Sequence, residues 1–177
     1  YSGSVNSEEV YDNVMNDWKW GNFDKKALFV DDSYSAAILA MRSAIKRAAA
    51  DLYQKGQEDK AAAIADKYFE AFPAMNFHYT YDVIPLIDIL VRTNDIEAAK
   101  KHLTILGKEA QQNLLFFETI DPEIIDASFT FRSDTQRYLY AANDVVRLAR
   151  QIGDPNFTAE MENLLRDYLN TRPTTPN

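Results

Sequence analysis

Three short breaks in an otherwise helical pattern constrain this chain more than any other feature. Ile38, Met41, Ile45, Ala48 and Leu52 step by three or four residues, which places them on one face of a helix. Lys55-Gly56-Gln57 interrupts the pattern, and Gly56 can take the left-handed conformation that closes a helix. A second stripe follows through Ala61, Ile64, Ala65, Tyr68 and Phe72 and stops at Pro73. The arrangement then recurs. Val83, Leu86, Ile87 and Leu90 precede Thr93-Asn94-Asp95, and Ile96, Ala99, Leu103, Leu106 and Ala110 come after it. Asn94 stands where Gly56 stood, and asparagine tolerates the left-handed region better than most residues with a side chain. A third unit has Leu139, Ala142, Val146 and Ala149, the break Gly153-Asp154-Pro155, and then Phe157, Met161, Leu164, Leu165 and Tyr168.

The flanking segments are less regular. Ser7 to Trp18 carries Val10, Val14 and Met15 at helical spacing, and Trp20-Gly21-Asn22-Phe23-Asp24 reads as a turn. Ala27 to Val30 reads as extended, and Asp31, Asp32 and Ser33 are natural N-caps for the helix that follows. Pro85 fits the first turn of its helix if Asp82 is the cap. Between the second and third units, residues 111–132 form an insertion with Phe116, Phe117, Asp121-Pro122-Glu123, Phe129 and Phe131. A long helix, a short turn started by proline and an aromatic loop would fill it. Asp121-Pro122 suits an N-cap followed by proline at the first helical position, and Ser133-Asp134-Thr135-Gln136 has the spacing of a capping box. The end of the chain, from Arg172 to Asn177, reads as a disordered tail.

Helix-hairpin units with small residues at the crossing are the pattern of tetratricopeptide (TPR) repeats, which run to about 34 residues. Gly56 sits at the turn, Ala49 and Ala61 at the small positions, and Pro73 at the closing proline. Asn94 and Ala99 hold the corresponding places in the next unit. The predicted fold is therefore all-α: about three TPR-like hairpins in a right-handed superhelical stack. The predicted division is an N-terminal helix and Trp-rich turn over 1–32, repeats over 33–172 and a tail over 173–177.

The balance of charge narrows the partners. The net charge of -8, from 19 basic and 27 acidic side chains, repels a phosphate backbone and an anionic membrane surface. The absence of cysteine rules out disulfides, thiolate metal sites and a cysteine nucleophile. No apolar run reaches the length of a membrane span; the nearest, Val83 to Val91, contains Asp88. The chain starts at Tyr1 without methionine, which reads as a piece excised from a longer protein.

The segment Tyr11-Asp12-Asn13-Val14-Met15-Asn16-Asp17-Trp18-Lys19-Trp20-Gly21-Asn22-Phe23-Asp24 resembles the opening of a particular kind of soluble region. That region is the C-terminal part of a family of bacterial multi-pass membrane proteins of unknown function. Their membrane half resembles glycosyltransferases that use lipid-linked sugars, protein O-mannosyltransferases among them. Similarity continues through Lys55-Gly56-Gln57, Tyr81-Asp82 with Pro85, and Val145-Val146-Arg147-Leu148-Ala149. It departs at Lys25-Lys26-Ala27, where the family tends to have Pro-Gly, and is loose from Phe116 to Phe131. The resemblance implies TPR-type hairpins, a location at the periplasmic face of the inner membrane, and transferase chemistry confined to the absent membrane half.

Candidate sites follow from the hairpin geometry. Repeat arrays of this kind bind along the face made by the first helix of each pair. Aligning the turns puts Lys46 and Tyr53 there from the first unit, Tyr81 and Arg92 from the second, and Tyr140, Asn143 and Arg147 from the third. The cations Lys46, Arg92 and Arg147 suit a protein or peptide segment with acidic groups or a C-terminal carboxylate. An alternative site is aromatic: Trp18, Trp20 and Phe23 could stack on a glycan, although such rings more often pin a terminal segment to a core. A third reading is a purely structural tail. His78 reads as a loop residue and His102 as a helix-surface residue, in no metal-ligand spacing. No phosphate loop or nucleophile motif occurs, so no catalytic residue, metal or cofactor is expected.

Overall fold

A computed structural model describes residues 5–169, so the tail predicted over 173–177 lies outside the described residues. All regular structure among them is helical. The helices are α1 (Ser7–Asp12), α2 (Ser35–Gln54), α3 (Glu58–Ala71), α4 (Ile84–Arg92), α5 (Ile96–Glu118), α6 (Pro122–Ala127), α7 (Phe129–Ile152) and α8 (Pro155–Leu165). The chain divides into two compact units. The first runs to His78 and includes Pro85–Ala98; the second comprises Tyr79–Ile84 and the residues from Ala99 onward.

The turn positions behave as their residue types demand. Gly56, Asn94 and Gly153 have φ of 74°, 63° and 77°. After α2 the Gln57 amide donates to the Leu52 carbonyl (3.0 Å) and the Gly56 amide to Tyr53 (3.0 Å). After α4 the Asp95 amide donates to Leu90 (2.9 Å) and the Asn94 amide to Val91 (3.2 Å). These are two copies of one Schellman turn, each satisfying carbonyls that a helix end leaves without partners. After α7 only the inner bond keeps this form, from Gly153 to Arg150 (3.2 Å). There the Ala149 carbonyl accepts the Thr158 hydroxyl (3.1 Å) instead.

Registered on these turns, the apolar positions coincide. Ile45, Val83 and Ala142 are buried, as are Ala48, Leu86 and Val145, and Leu52, Leu90 and Ala149. Each large aliphatic side chain so buried contributes on the order of 1.5–3 kcal/mol. That burial holds helices whose turns alone supply little stability.

In the first unit α2 packs on α3, and α1 packs on α2. Polar contacts seat α1: the Ser7 hydroxyl bonds the Asp51 carboxylate, and Lys55 reaches both Asp51 (2.6 Å) and Ser7 (3.1 Å). Glu8 accepts from Gln57 (2.6 Å) and Lys60 (2.5 Å). A π-helical turn, Asn13–Asp17, ends α1 and buries Val14. The segment after it, including Ala27 to Val30, is neither helix nor strand. Asn76 clamps this segment, donating to the carbonyls of Phe23 (2.6 Å) and Lys26 (2.8 Å) and accepting the Leu28 amide (2.7 Å). Asp31 then accepts the Ser33 amide (2.8 Å) and starts the short 3-10 turn that leads into α2.

In the second unit α7 packs on α8, and α6 on α7. Gly107 lets α5 approach both: a Cβ there would lie 3.1 Å from Leu164, 3.5 Å from Met161 and 3.6 Å from Val145. Lys100 pairs with Asp154 (2.7 Å) at the start of α8, and Gln111 donates to the Leu164 carbonyl (2.9 Å) at its end.

Three local expectations need correction. The capping box at Ser133–Gln136 lies inside α7, whose cap is Ser128, accepting the Phe131 amide (3.3 Å). Phe129 and Phe131 therefore belong to the first turn of a helix and not to an aromatic loop. Asp82 lies within a 3-10 turn, Tyr81–Val83, entered from extended Thr80; that turn runs straight into α4 and leaves Pro85 in the first turn. His102 is no surface residue. It is 6% exposed. The insertion otherwise takes the expected form, with α5 extended to Glu118 and Asp121 capping α6 ahead of Pro122.

Candidate ligand-binding face

The second unit gathers four of the seven residues expected on the binding face. The 3-10 turn carries Tyr81 against α7, where its ring lies 5.9 Å from that of Tyr140. The two rings stay 41% and 50% exposed, although a buried aromatic pair would contribute more to folding. Asn143 and Arg147 follow Tyr140 on α7 at three and seven residues, and so share its side of the helix. The Asn143 amide donates to the Leu139 carbonyl (2.9 Å), and Arg147 Nε donates to Asp144 (2.6 Å).

A depression of about 220 Å³ opens beside these residues, lined by Asn143, Val146, Arg147, Arg150 and Leu169. Arg150 was not anticipated, although it lies one turn beyond Arg147 on the same helix. Its Nε and Nη2 both donate to Glu162 Oε1 (2.9 and 2.6 Å). Exposed pairs of this kind contribute at most about 1 kcal/mol. Exchange of Asp144 or Glu162 for another carboxylate would therefore cost little.

The first unit holds Lys46, Tyr53 and Arg92. The Arg92 guanidinium lies 6.0 Å from the Tyr53 ring, and its Nε donates to Asp88 (2.6 Å). That hydrogen bond holds Arg92 more firmly protonated than usual. The second Asp88 oxygen is buried without a hydrogen-bond partner. Lys46 is half-buried on α2.

The alternative aromatic site is engaged in packing. Trp18 meets Trp20 edge-on (5.6 Å), Trp20 meets Phe72 (5.6 Å), and Phe23 meets Phe77 (5.1 Å). Phe72 and Phe77 touch in turn (5.2 Å). Arg42 lies over the Tyr68 and Phe72 rings and donates to the Tyr68 hydroxyl (2.7 Å). Trp18, Trp20 and Phe23 are each half-buried, and the Trp20 indole N–H is buried without a partner. These rings anchor the N-terminal segment on α3 and the loop after it.

The histidines lie apart in character. His78 sits exposed in the loop before the 3-10 turn. His102 Nδ1 lies 3.0 Å from the hydroxyl of buried Tyr79, and burial pushes its pKa down to about 4. Among the described residues no three His, Asp or Glu side chains gather as a metal ion would require, and no helix is long and apolar enough to cross a membrane. No protein-family model matches the chain, and neither characterised proteins nor solved structures yield a match.

Proposed function

We propose that this chain is a non-catalytic interaction domain that binds an extended peptide segment bearing carboxylates. The observation that supports it most is the exposed Tyr81–Tyr140 pair with Asn143, Arg147 and Arg150 beside it on α7. Aromatic faces supply contact area at low entropy cost. The amide and guanidinium groups supply directional donors for a peptide backbone and an acidic side chain or C-terminus. On this reading the helix pairs are TPR-like repeats. The two matching Schellman turns at Gly56 and Asn94 support that view.

The setting rests on the Tyr11–Asp24 resemblance. It makes the domain the tail of a membrane glycosyltransferase-like protein at the periplasmic face, holding an acceptor protein or a neighbouring subunit beside the transferase. Titration of the chain with glutamate-rich peptides that contain tyrosine or leucine tests the binding claim, with soluble oligosaccharides as the comparison. Peptide binding lost in Arg147→Ala, with the helical circular dichroism unchanged, is the expected outcome. Binding of sugars alone, abolished by Trp20→Ala, would replace this reading with a carbohydrate-binding one. Failure to bind either would leave a purely structural role.

A further inference from the structure

The second unit carries another concave surface, rimmed by carboxylates. The end of α5, α6, the first half of α7 and the 3-10 turn Arg166–Tyr168 enclose a cavity of about 390 Å³. Leu114, Phe117, Ile120, Ile125, Leu139 and Tyr168 supply its apolar wall. That volume falls within the range of roughly 300–1,000 Å³ typical of ligand sites. Glu118, Asp126 and Asp167 form its rim, all three exposed, and no lysine or arginine is among the described residues that line it. Arg132 lies beside the rim, donating to the Asp126 carbonyl (2.8 Å).

Two further features bear on what fits there. The Tyr168 hydroxyl is held protonated above its usual range, first by burial and then by the charges of Glu118 and Asp167. Glu118 and Asp167 thus lie near enough to Tyr168 to act on its hydroxyl. In addition, α6 has two isoleucines in six residues and buries neither. Phe116, Ile124 and Phe129 stand exposed on the same three helices, Phe129 at 77%.

We infer that this cavity docks a basic amphipathic peptide segment, seating a large apolar side chain against Phe117 and Leu139 and placing lysine or arginine beside Asp126 and Asp167. The charge follows from the rim carboxylates, and the large apolar side chain from the wall they surround. The site is separate from the Tyr81–Tyr140 face and selects the opposite charge.

Fluorescence anisotropy with a labelled peptide of leucine and lysine at helical spacing, with a central phenylalanine, tests the inference. A peptide with glutamine for lysine is the control. The lysine peptide binds, and either the glutamine peptide or the D126N/D167N double variant weakens binding roughly fivefold, the sum of two exposed ion pairs. Ile125→Lys places a cation in the mouth from a half-exposed position and abolishes binding with the fold intact. Arg147→Ala leaves it unchanged. Equal binding of the two peptides, indifference to Ile125→Lys, or no binding up to about millimolar peptide overturns the inference.

Discussion

Replacing His102 with glutamine removes one buried titratable group while leaving an amide that can donate to or accept from the Tyr79 hydroxyl, 3.0 Å from His102 Nδ1 in the native pair. Burial lowers the folded-state pKa of His102 from 6.5 to about 4, assisted by the charge of Lys101. Protonation therefore favours the unfolded chain. The stabilisation of neutral His102 is full above pH 6.5 and is lost as pH falls toward 4. Linkage gives the size: relative to neutral pH, the wild type loses about 2 kcal/mol at about pH 5 and about 3 kcal/mol at about pH 4 from this group alone. Carboxylates also titrate in that range. Glu8 and Asp51, lowered chiefly by their bonds to Lys60 and Lys55, contribute equally to wild type and variant, so they cancel in the difference. Urea unfolding of both proteins at about pH 7.5, 6 and 5 provides the assay. The His102→Gln protein should lose about 2 kcal/mol less than the wild type between the extremes. Parallel pH profiles for the two proteins would refute a neutral, buried His102.

Other substitutions test the remaining supports. Asn76→Ala removes three hydrogen bonds to the segment after Phe23; it should cost roughly 1–3 kcal/mol and speed proteolytic cleavage between Lys25 and Phe29. Asn94→Gly should be neutral within a few tenths of a kcal/mol, whereas Asn94→Val, β-branched at a φ of 63°, should cost about 1–2 kcal/mol, read as a shift in urea midpoint. Gly107→Leu drives a side chain into Leu164, Met161 and Val145 and should cost at least about 1–3 kcal/mol, measured by thermal unfolding.

The ends of α2, α4 and α7 were legible because left-handed turns select few residue types. Gly56, Asn94 and Gly153 therefore marked the helix ends directly, and the apolar stripes followed at fixed offsets from them. The same register could have placed His102. It stands as far beyond Asn94 as Ile64 stands beyond Gly56 and Met161 beyond Gly153, and both of those are buried. Residue type misled there, because histidine is intermediate in burial and a lone polar ring on a helix was assigned to the surface. The start of α7 was misplaced because Ser133-Asp134-Thr135-Gln136 has the spacing of a capping box, whereas the helix begins at the Ser128 cap and sets Phe131 against Phe117. The Asn76 clamp had no sequence signal, as its partners lie some fifty residues away. Of the seven candidate residues from turn alignment, Tyr81, Tyr140, Asn143 and Arg147 fall in the second unit. The tyrosine pairing and the contribution of Arg150 depend on how the 3-10 turn meets α7, which spacing does not encode.

Backbone amide chemical-shift mapping with a glutamate-rich, tyrosine-containing peptide tests whether the Tyr81–Tyr140 face binds such a segment. Saturable shifts are expected in the second unit at Tyr81, Tyr140, Asn143, Arg147 and Arg150, with none at Trp18, Trp20 or Phe23. Shifts confined to the N-terminal aromatic segment, or no shifts at all at about millimolar peptide, would contradict it.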